Sequence, residues 1–185
     1  MPSSPASQNT TPGLSRTAAG LESPWDVRQI VANVVRENEQ LKPLLAGLNP
    51  QDWYDKKGAA STYILQWQTA QRQLTDVEWS AKQLSQKTES LSLALDLYFR
   101  LEALETSARS LADGDRKYGD RPSADQFAQL IARNFSNRER LRDYLRDLAT
   151  SVEQNFKIAD EEAQRCRGMI SKDPCPSTGG RSKRR

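Results

Sequence analysis

The sequence predicts an all-α protein, an antiparallel up-and-down four-helix bundle with disordered N- and C-terminal tails. Four long stretches repeat apolar residues at the three- and four-residue spacing of a helix face. The connections between these stretches are short, which favours antiparallel neighbours. Both ends of the chain are polar and lack this periodicity.

Composition fits a modest core surrounded by polar faces. The chain has 185 residues, of which 36% are apolar, and its mean hydropathy is −0.78. No apolar run approaches the roughly 18 residues that a membrane span needs. Residues 1–20 contain no apolar segment typical of a secretory signal. The sequence therefore predicts either a cytoplasmic protein or an exported one whose signal lies upstream.

Charge is distributed unevenly along the chain. Residues 164–185 contain seven basic residues and one acidic residue, a net charge of +6. Because the whole chain carries +3, the remainder carries −3. A mildly acidic body does not indicate a nucleic-acid-binding domain, and the expected nucleic-acid contacts are limited to weak ones made by the basic tail.

Residues 1–22 are rich in Ser, Thr, Pro and Gly and predict a disordered leader. Ser23 and Pro24 are typical of a helix start. The helix face that follows consists of Val27, Ile30, Val31, Val34, Leu41 and Leu45. Pro43 is expected to kink or end this helix. A short helical turn with Trp53 is then expected after Asn49 and Pro50.

The next stretch predicts a helix with a coiled-coil-like seam. Its apolar residues alternate steps of four and three over three heptads: Tyr63, Trp67, Ala70, Leu74, Val77, Ala81 and Leu84. Thr88 is a candidate cap for the helix that follows it.

The segment "LSLALDLYFRLEALE", residues 91–105, alternates leucines as a strand would. Its residues are nevertheless strong helix formers, and from Leu91 to Leu104 it has no Val, Ile or Thr. We interpret it as the most deeply buried helix, ending before Gly114. The polar segment 113–123 predicts a turn, and Ser123 with Gln126 predicts a capping box. A last helix of roughly 65 Å follows if it is unbroken to Cys166, with a bend expected near Asn137.

Glu102 and Glu105 are the best candidates for chemistry, because both lie at the edge of the apolar arc. A Glu-x-x-His metal motif is excluded because the chain has no histidine. An all-carboxylate site would need partners such as Asp143 or Asp147. The interpretation we favour is that the two acids pair with Arg100, Arg109 or Arg138 at the rim of the core. The sequence predicts no enzyme activity, cofactor or metal site.

Three tryptophans and two cysteines are the other notable residues. Trp25, Trp53 and Trp79 either form a ligand or partner surface or pack loops over the ends of the bundle. Cys166 and Cys175 either form a disulfide in an oxidising compartment or remain free thiols.

Residues 48–71, "LNPQDWYDKKGAASTYILQWQTAQ", and residues 91–105 resemble an uncharacterised family of bacterial all-helical proteins that are usually exported. The resemblance implies no reaction and no functional residue. An exported location would favour the Cys166–Cys175 disulfide.

The sequence thus predicts one helical domain over residues 23–166, followed by a basic flexible tail over 167–185. Its expected function is that of a non-catalytic interaction or scaffold module, which binds a protein partner or associates with itself. The alternative is a binding protein for a small apolar or peptide ligand at a tryptophan-lined end of the bundle.

Overall fold

A computed structural model describes the backbone of residues 24–172 and the side chains of residues 26–169. Within these ranges the protein is all-α, with four long helices and one short one. The helices are α1 (Pro24–Gly47), α2 (Pro50–Lys57), α3 (Thr62–Gln86), α4 (Leu91–Tyr118) and α5 (Arg121–Lys172). The predicted leader, residues 1–22, and residues 173–185 of the predicted tail lie outside the described residues. The predicted start of the flexible tail at residue 167 is wrong, because α5 continues to Lys172.

The four long helices form a closed ring in which α1 and α4 lie on opposite sides. Ser80 of α3 contacts Asp96 of α4, and Gln66 accepts a hydrogen bond of 2.8 Å from Ser110. The α3 residue numbers therefore fall as the α4 numbers rise, which defines an antiparallel pair. Between α4 and α5, Arg116 meets Asp125 while Tyr144 donates to the Thr88 carbonyl just before α4. The predicted four-helix bundle is confirmed.

Helix α4 shares the core with the other long helices and is not the most deeply buried one, because Leu95 and Phe99 are 38% and 59% exposed. Its fully or almost fully buried side chains occur on successive turns: Ala94, Leu97, Leu101, Leu104, Ala108, Leu111 and Ala112. They pack with the buried seam residues of α3 from Ala70 to Leu84. Ser90 caps α4 by accepting from the Leu93 amide at 3.4 Å, so the cap is Ser90 and not Thr88.

Helix α1 continues through Pro43 to Gly47, so the expected helix end at Pro43 is wrong. Proline removes one intrahelical hydrogen bond, which leaves the carbonyl of Glu39 without that donor. Pro43 and Glu39 both lie on the exposed side of the helix, where water can hydrogen-bond this carbonyl. Leu41 and Leu45 on the other side are buried and hold the helix against the core.

The turn between α4 and α5 is shorter than predicted. Helix α4 continues past Gly114 to Tyr118, and the connection consists of Gly119 and Asp120. Asp120, rather than Ser123, caps α5 by accepting from the Ser123 amide at 3.1 Å. A side chain at Gly119 would collide with the carboxylate of Asp115, which accepts from the Asp120 amide at 3.2 Å.

Helix α5 is much longer than its neighbours and stays helical through the segment around Asn137. Its 52 residues span about 78 Å. Residues up to Leu148 pack in the bundle, whereas the side chains beyond Leu148 are exposed or half-exposed. We call residues 149–172 the α5 extension. Within the described part of the chain, no helix combines the length and the apolar character that crossing a membrane requires.

Candidate functional site

Trp53 is buried inside one end of the bundle and forms no part of an exposed surface. Its side chain is 3% exposed, packs edge-on against Tyr63 at 5.8 Å between ring centroids and stacks with Tyr118 at 6.5 Å. Gly114 of α4 lies under this cluster, where an added Cβ would be 2.8 Å from the Tyr63 ring. Trp53 therefore fixes α2 against the bundle end. The side chain of Trp25, expected on the same surface, lies outside the described residues.

Trp79 is 55% exposed and lies on the outer groove between α3 and α4. The guanidinium of Arg100 is 5.9 Å from the centre of its ring, a cation–π distance. Arg100 also donates to Asp96 at 2.8 Å, and Phe99 lines the same groove. Burial favours protonation of Asp96, but hydrogen bonds from Arg100 and Ser80 outweigh it and lower the pKa of that carboxyl. The surface at Trp79 thus combines an exposed aromatic ring with an arginine that is paired with Asp96.

Glu102 and Glu105 pair with arginines at the rim of the core, as the sequence analysis favoured. Arg138 of α5 lies 3.1 Å from Glu105 and 3.4 Å from Glu102, measured between nitrogen and oxygen. Arg109 also pairs with Glu105. The Arg138 guanidinium lies 5.5 Å from the centre of the Tyr98 ring. The two acids are therefore charge-compensated and connect α4 to α5.

The all-carboxylate alternative needed a third acid near these two. Asp143 instead lies 3.7 Å from Arg146 and is more than half exposed. Among the residues that the structure describes, no three His, Cys, Asp or Glu side chains form a group able to hold a metal ion.

An open groove runs between α1 and α3 on the outside of the bundle. It has a volume of about 540 Å³ and an apolar floor that includes Val31, Val35 and Ala81. Four cations and two acids border it: Arg28, Arg36, Lys42, Lys82, Glu39 and Glu78. Lys42 and Glu78 bridge the groove with an ion pair of 2.5 Å. This surface was not identified in the sequence, where these residues appear only as ordinary polar positions of two helices.

The α5 extension carries Phe156, which has the highest exposed fraction among the large apolar side chains of the described residues. Val152 is 45% exposed and Phe156 is 74% exposed. Val152 follows Leu145 by seven residues and Leu148 by four, so it lies on the face that α5 buries inside the bundle. Leu145 and Leu148 are 7% and 6% exposed. The core face of α5 therefore continues about 36 Å past the bundle, and among the described residues no other helix lies beside it.

Cys166 lies on the same face of the extension and is exposed. It follows Ala159 by seven residues and Ala163 by three. Cys175 lies outside the described residues, so the disulfide between the two cysteines stays a prediction.

Comparisons with known proteins give no relative. No model of a known protein family, no curated protein and no solved structure matches this chain. The function must therefore be argued from the chain's own surfaces.

Proposed function

We propose that this protein is a non-catalytic interaction module in which the bundle anchors a projecting helix and the α5 extension binds another helix. The observation that carries the proposal is the exposure of Val152 and Phe156 on the continuation of the core face. Large contiguous apolar surface rimmed by charges is typical of a binding surface. An unpaired amphipathic helix is best covered by a second amphipathic helix.

The bundle is suited to the anchoring role. Its interior is filled by closely packed Leu, Val and Ala side chains. Glu102 and Glu105 of α4 pair with arginines at the rim of the core. An apolar core with arginine–carboxylate pairs at its rim supports a structural role for the bundle.

The extension also favours a bound partner because it is a weak helix former by itself. Residues 150–158 contain Thr, Ser, Val, Asn, Phe and Ile, and Gly168 follows near the end. A helix without packing contacts gains little stability in water from such residues. A partner helix on the apolar face would bury the apolar side chains of the extension, as the other bundle helices bury those of residues 121–148.

Purification of the tagged full chain from its source cell, followed by mass spectrometry, tests this proposal. We expect a partner to be recovered with the wild type and lost with the double substitution Val152→Glu/Phe156→Glu. Ile158→Glu is the matched control, because Ile158 is 55% exposed on the same extension but lies off this face. Equal recovery of the partner with the double variant would overturn the proposed use of the extension.

A second candidate function is supported by the groove between α1 and α3. Its volume lies within the range of small-molecule sites, and its apolar floor is bordered by an excess of cations. This combination fits a small amphiphile with an acidic head group. Calorimetric titration with dodecanoate should show binding that Arg28→Glu/Lys82→Glu weakens about tenfold or more. Arg72→Glu on an exposed position of α3 is the control, and equal affinities in all three proteins would contradict the candidate.

A further inference from the structure

We propose that the α5 extension pairs with the same segment of a second copy, in antiparallel orientation, to form a two-fold symmetric dimer. This inference rests on the proposed function and names its partner. It is carried by three properties of the extension: the spacing of its apolar residues, the change in size and charge along its length, and the position of the bundle beside its start.

The apolar residues of the extension have the spacing of a coiled-coil seam. Steps of three and four alternate through Ala149, Val152, Phe156, Ala159, Ala163 and Cys166. This pattern repeats every seven residues and places all six side chains along one stripe. Ile158 and Met169 fall outside the stripe. The extension therefore presents one seam, which one helix of similar length can cover.

Side-chain size changes along this seam. Its first half carries Val152 and Phe156, whereas its second half carries the small residues Ala159, Ala163 and Cys166. In a parallel pair, the phenylalanines would face each other and the alanines would leave a gap. An antiparallel pair places Phe156 of one copy near the small residues of the other, which allows both halves to pack closely.

Charge changes along the same direction. Residues 153–162 carry four acids and one lysine, a net charge of −3, and Arg165 and Arg167 follow. An antiparallel pair centred near residue 161 sets Phe156 of one copy opposite Cys166 of the other and brings Glu153 of each copy near Arg167 of the other. Such cross-helix charges at the edge of a seam set partner orientation. A second copy of this chain thus complements the extension in shape, and an acid and an arginine meet near each end of the pair.

The bundle itself disfavours a parallel pair. The seam is the continuation of the face on which α5 packs inside its own bundle, where Leu145 and Leu148 are buried. Tyr144 donates to the Thr88 carbonyl of the α3–α4 turn, so the bundle ends close to the start of the extension. A parallel partner would bring its own bundle into this occupied space. An antiparallel partner places the second bundle at the far end.

Analytical ultracentrifugation of the purified full chain tests the self-association. We expect a monomer–dimer equilibrium with a dissociation constant on the order of 10 µM, because the seam is short and rich in alanine. Val152→Glu/Phe156→Glu should raise this constant about 100-fold, while Ile158→Glu should leave it within about twofold. Circular dichroism melting must show that each variant keeps an intact bundle. We expect this result because all three residues are exposed and their substitution removes no core packing.

Orientation is measured with a spin label at Thr150→Cys in a Cys166→Ser/Cys175→Ser background. In the antiparallel dimer the two labels are separated by about 22 residues along the axis, roughly 33 Å, which together with the width of the pair gives about 40 Å. In a parallel pair they face each other across two helices, about 20 Å apart. A distance near 40 Å supports the proposal, and a distance near 20 Å overturns the orientation.

A chain that stays monomeric at about 500 µM, some 50 times the expected constant, would overturn the self-pairing. The proposed function would survive this result if the source-cell partner were still lost with Val152→Glu/Phe156→Glu. If instead deletion of residues 1–22 converted the monomer into a dimer, the leader would be the occupant of the seam. Both outcomes reject the second copy as the occupant.

Discussion

The two parts of helix α5 share one sequence pattern but have opposite environments. Residues 121–148 bury their apolar face, with Phe127 at 0% exposure, whereas Phe156 in the extension is 74% exposed. Leu148 and Val152 are one turn apart on the same face, and their exposures are 6% and 45%. Among the described residues the difference comes from the neighbouring helices, because α1 and α4 begin and α3 ends near the level at which the extension starts. Amphipathic spacing thus specifies a face, and the length of adjacent helices specifies whether that face is covered.

The first prediction compares deletion of apolar side chains in the two parts. Leu141→Ala should lower the free energy of unfolding by about 2–5 kcal/mol, because Leu141 is fully buried and a cavity would remain. Phe156→Ala should change it by less than about 0.5 kcal/mol in dilute monomer, since no packing is lost. Urea denaturation followed by circular dichroism measures both. A cost above about 2 kcal/mol for Phe156→Ala would show that the extension is covered within one chain.

Buried and exposed asparagines provide the second comparison. Asn134 of α5 donates to Asn38 of α1 at 3.0 Å, and both side chains are buried. Asn38→Ala should cost about 1–3 kcal/mol, because it leaves the Asn134 amide buried without this partner. Asn155→Ala on the exposed extension should cost almost nothing. Thermal melts of the two variants measure this difference in stability.

The double variant Asn38→Leu/Asn134→Leu sharpens this second test. Replacing both amides by apolar groups should recover much of the stability that Asn38→Ala loses. If the double variant is less stable than the single one, then the site requires polar side chains for packing reasons that the hydrogen bond does not explain.

The third prediction compares glycine-to-alanine substitutions at two positions, which we expect to change stability in opposite directions. Gly114→Ala should destabilise the bundle by about 1–3 kcal/mol, because its Cβ would lie 2.8 Å from the Tyr63 ring. Gly168→Ala in the extension meets no atom within 4 Å. It should increase helix content there, since alanine favours a helix over glycine by about 1 kcal/mol. Ellipticity at 222 nm and the melting temperature separate the two effects.

The smallest effect concerns pH. Burial raises the pKa of Asp115, only partly offset by hydrogen bonds from the Asp120 amide and Ser123. A raised folded-state pKa means that stability falls as pH rises through it. Asp115→Asn should therefore raise the melting temperature more at pH 7 than at pH 4. Asp160→Asn in the exposed extension is the control, and an equal shift at both pH values for Asp115→Asn would contradict the burial argument.

Much of the fold followed from residue spacing. The α3 seam from Ala70 to Leu84 is buried as predicted, and the alternating leucines from Leu91 lie in a helix. The position at which α4 ends was predicted wrongly. Glycine is a poor helix former, so the sequence predicts an end before Gly114, whereas α4 continues to Tyr118. In the structure, the absence of a side chain at Gly114 lets Tyr63 and Trp53 close over the helix, and this packing keeps α4 helical to Tyr118. Local propensity was overridden by tertiary contact.

For the candidate sites, too, some features could be predicted from the sequence and others could not. Pairing of Glu102 and Glu105 with arginines could be predicted, since opposite charges lay within reach on neighbouring helices. The burial of Trp53 and the groove between α1 and α3 could not be predicted, because they depend on residues brought together from distant parts of the chain.

By itself, the sequence determined that this protein is helical and which face of each helix is apolar, because side-chain spacing fixes both within one element. Only the tertiary structure decided which apolar faces are covered. Burial requires a second element at the same level, and in the described part of the chain no other helix lies beside Val152.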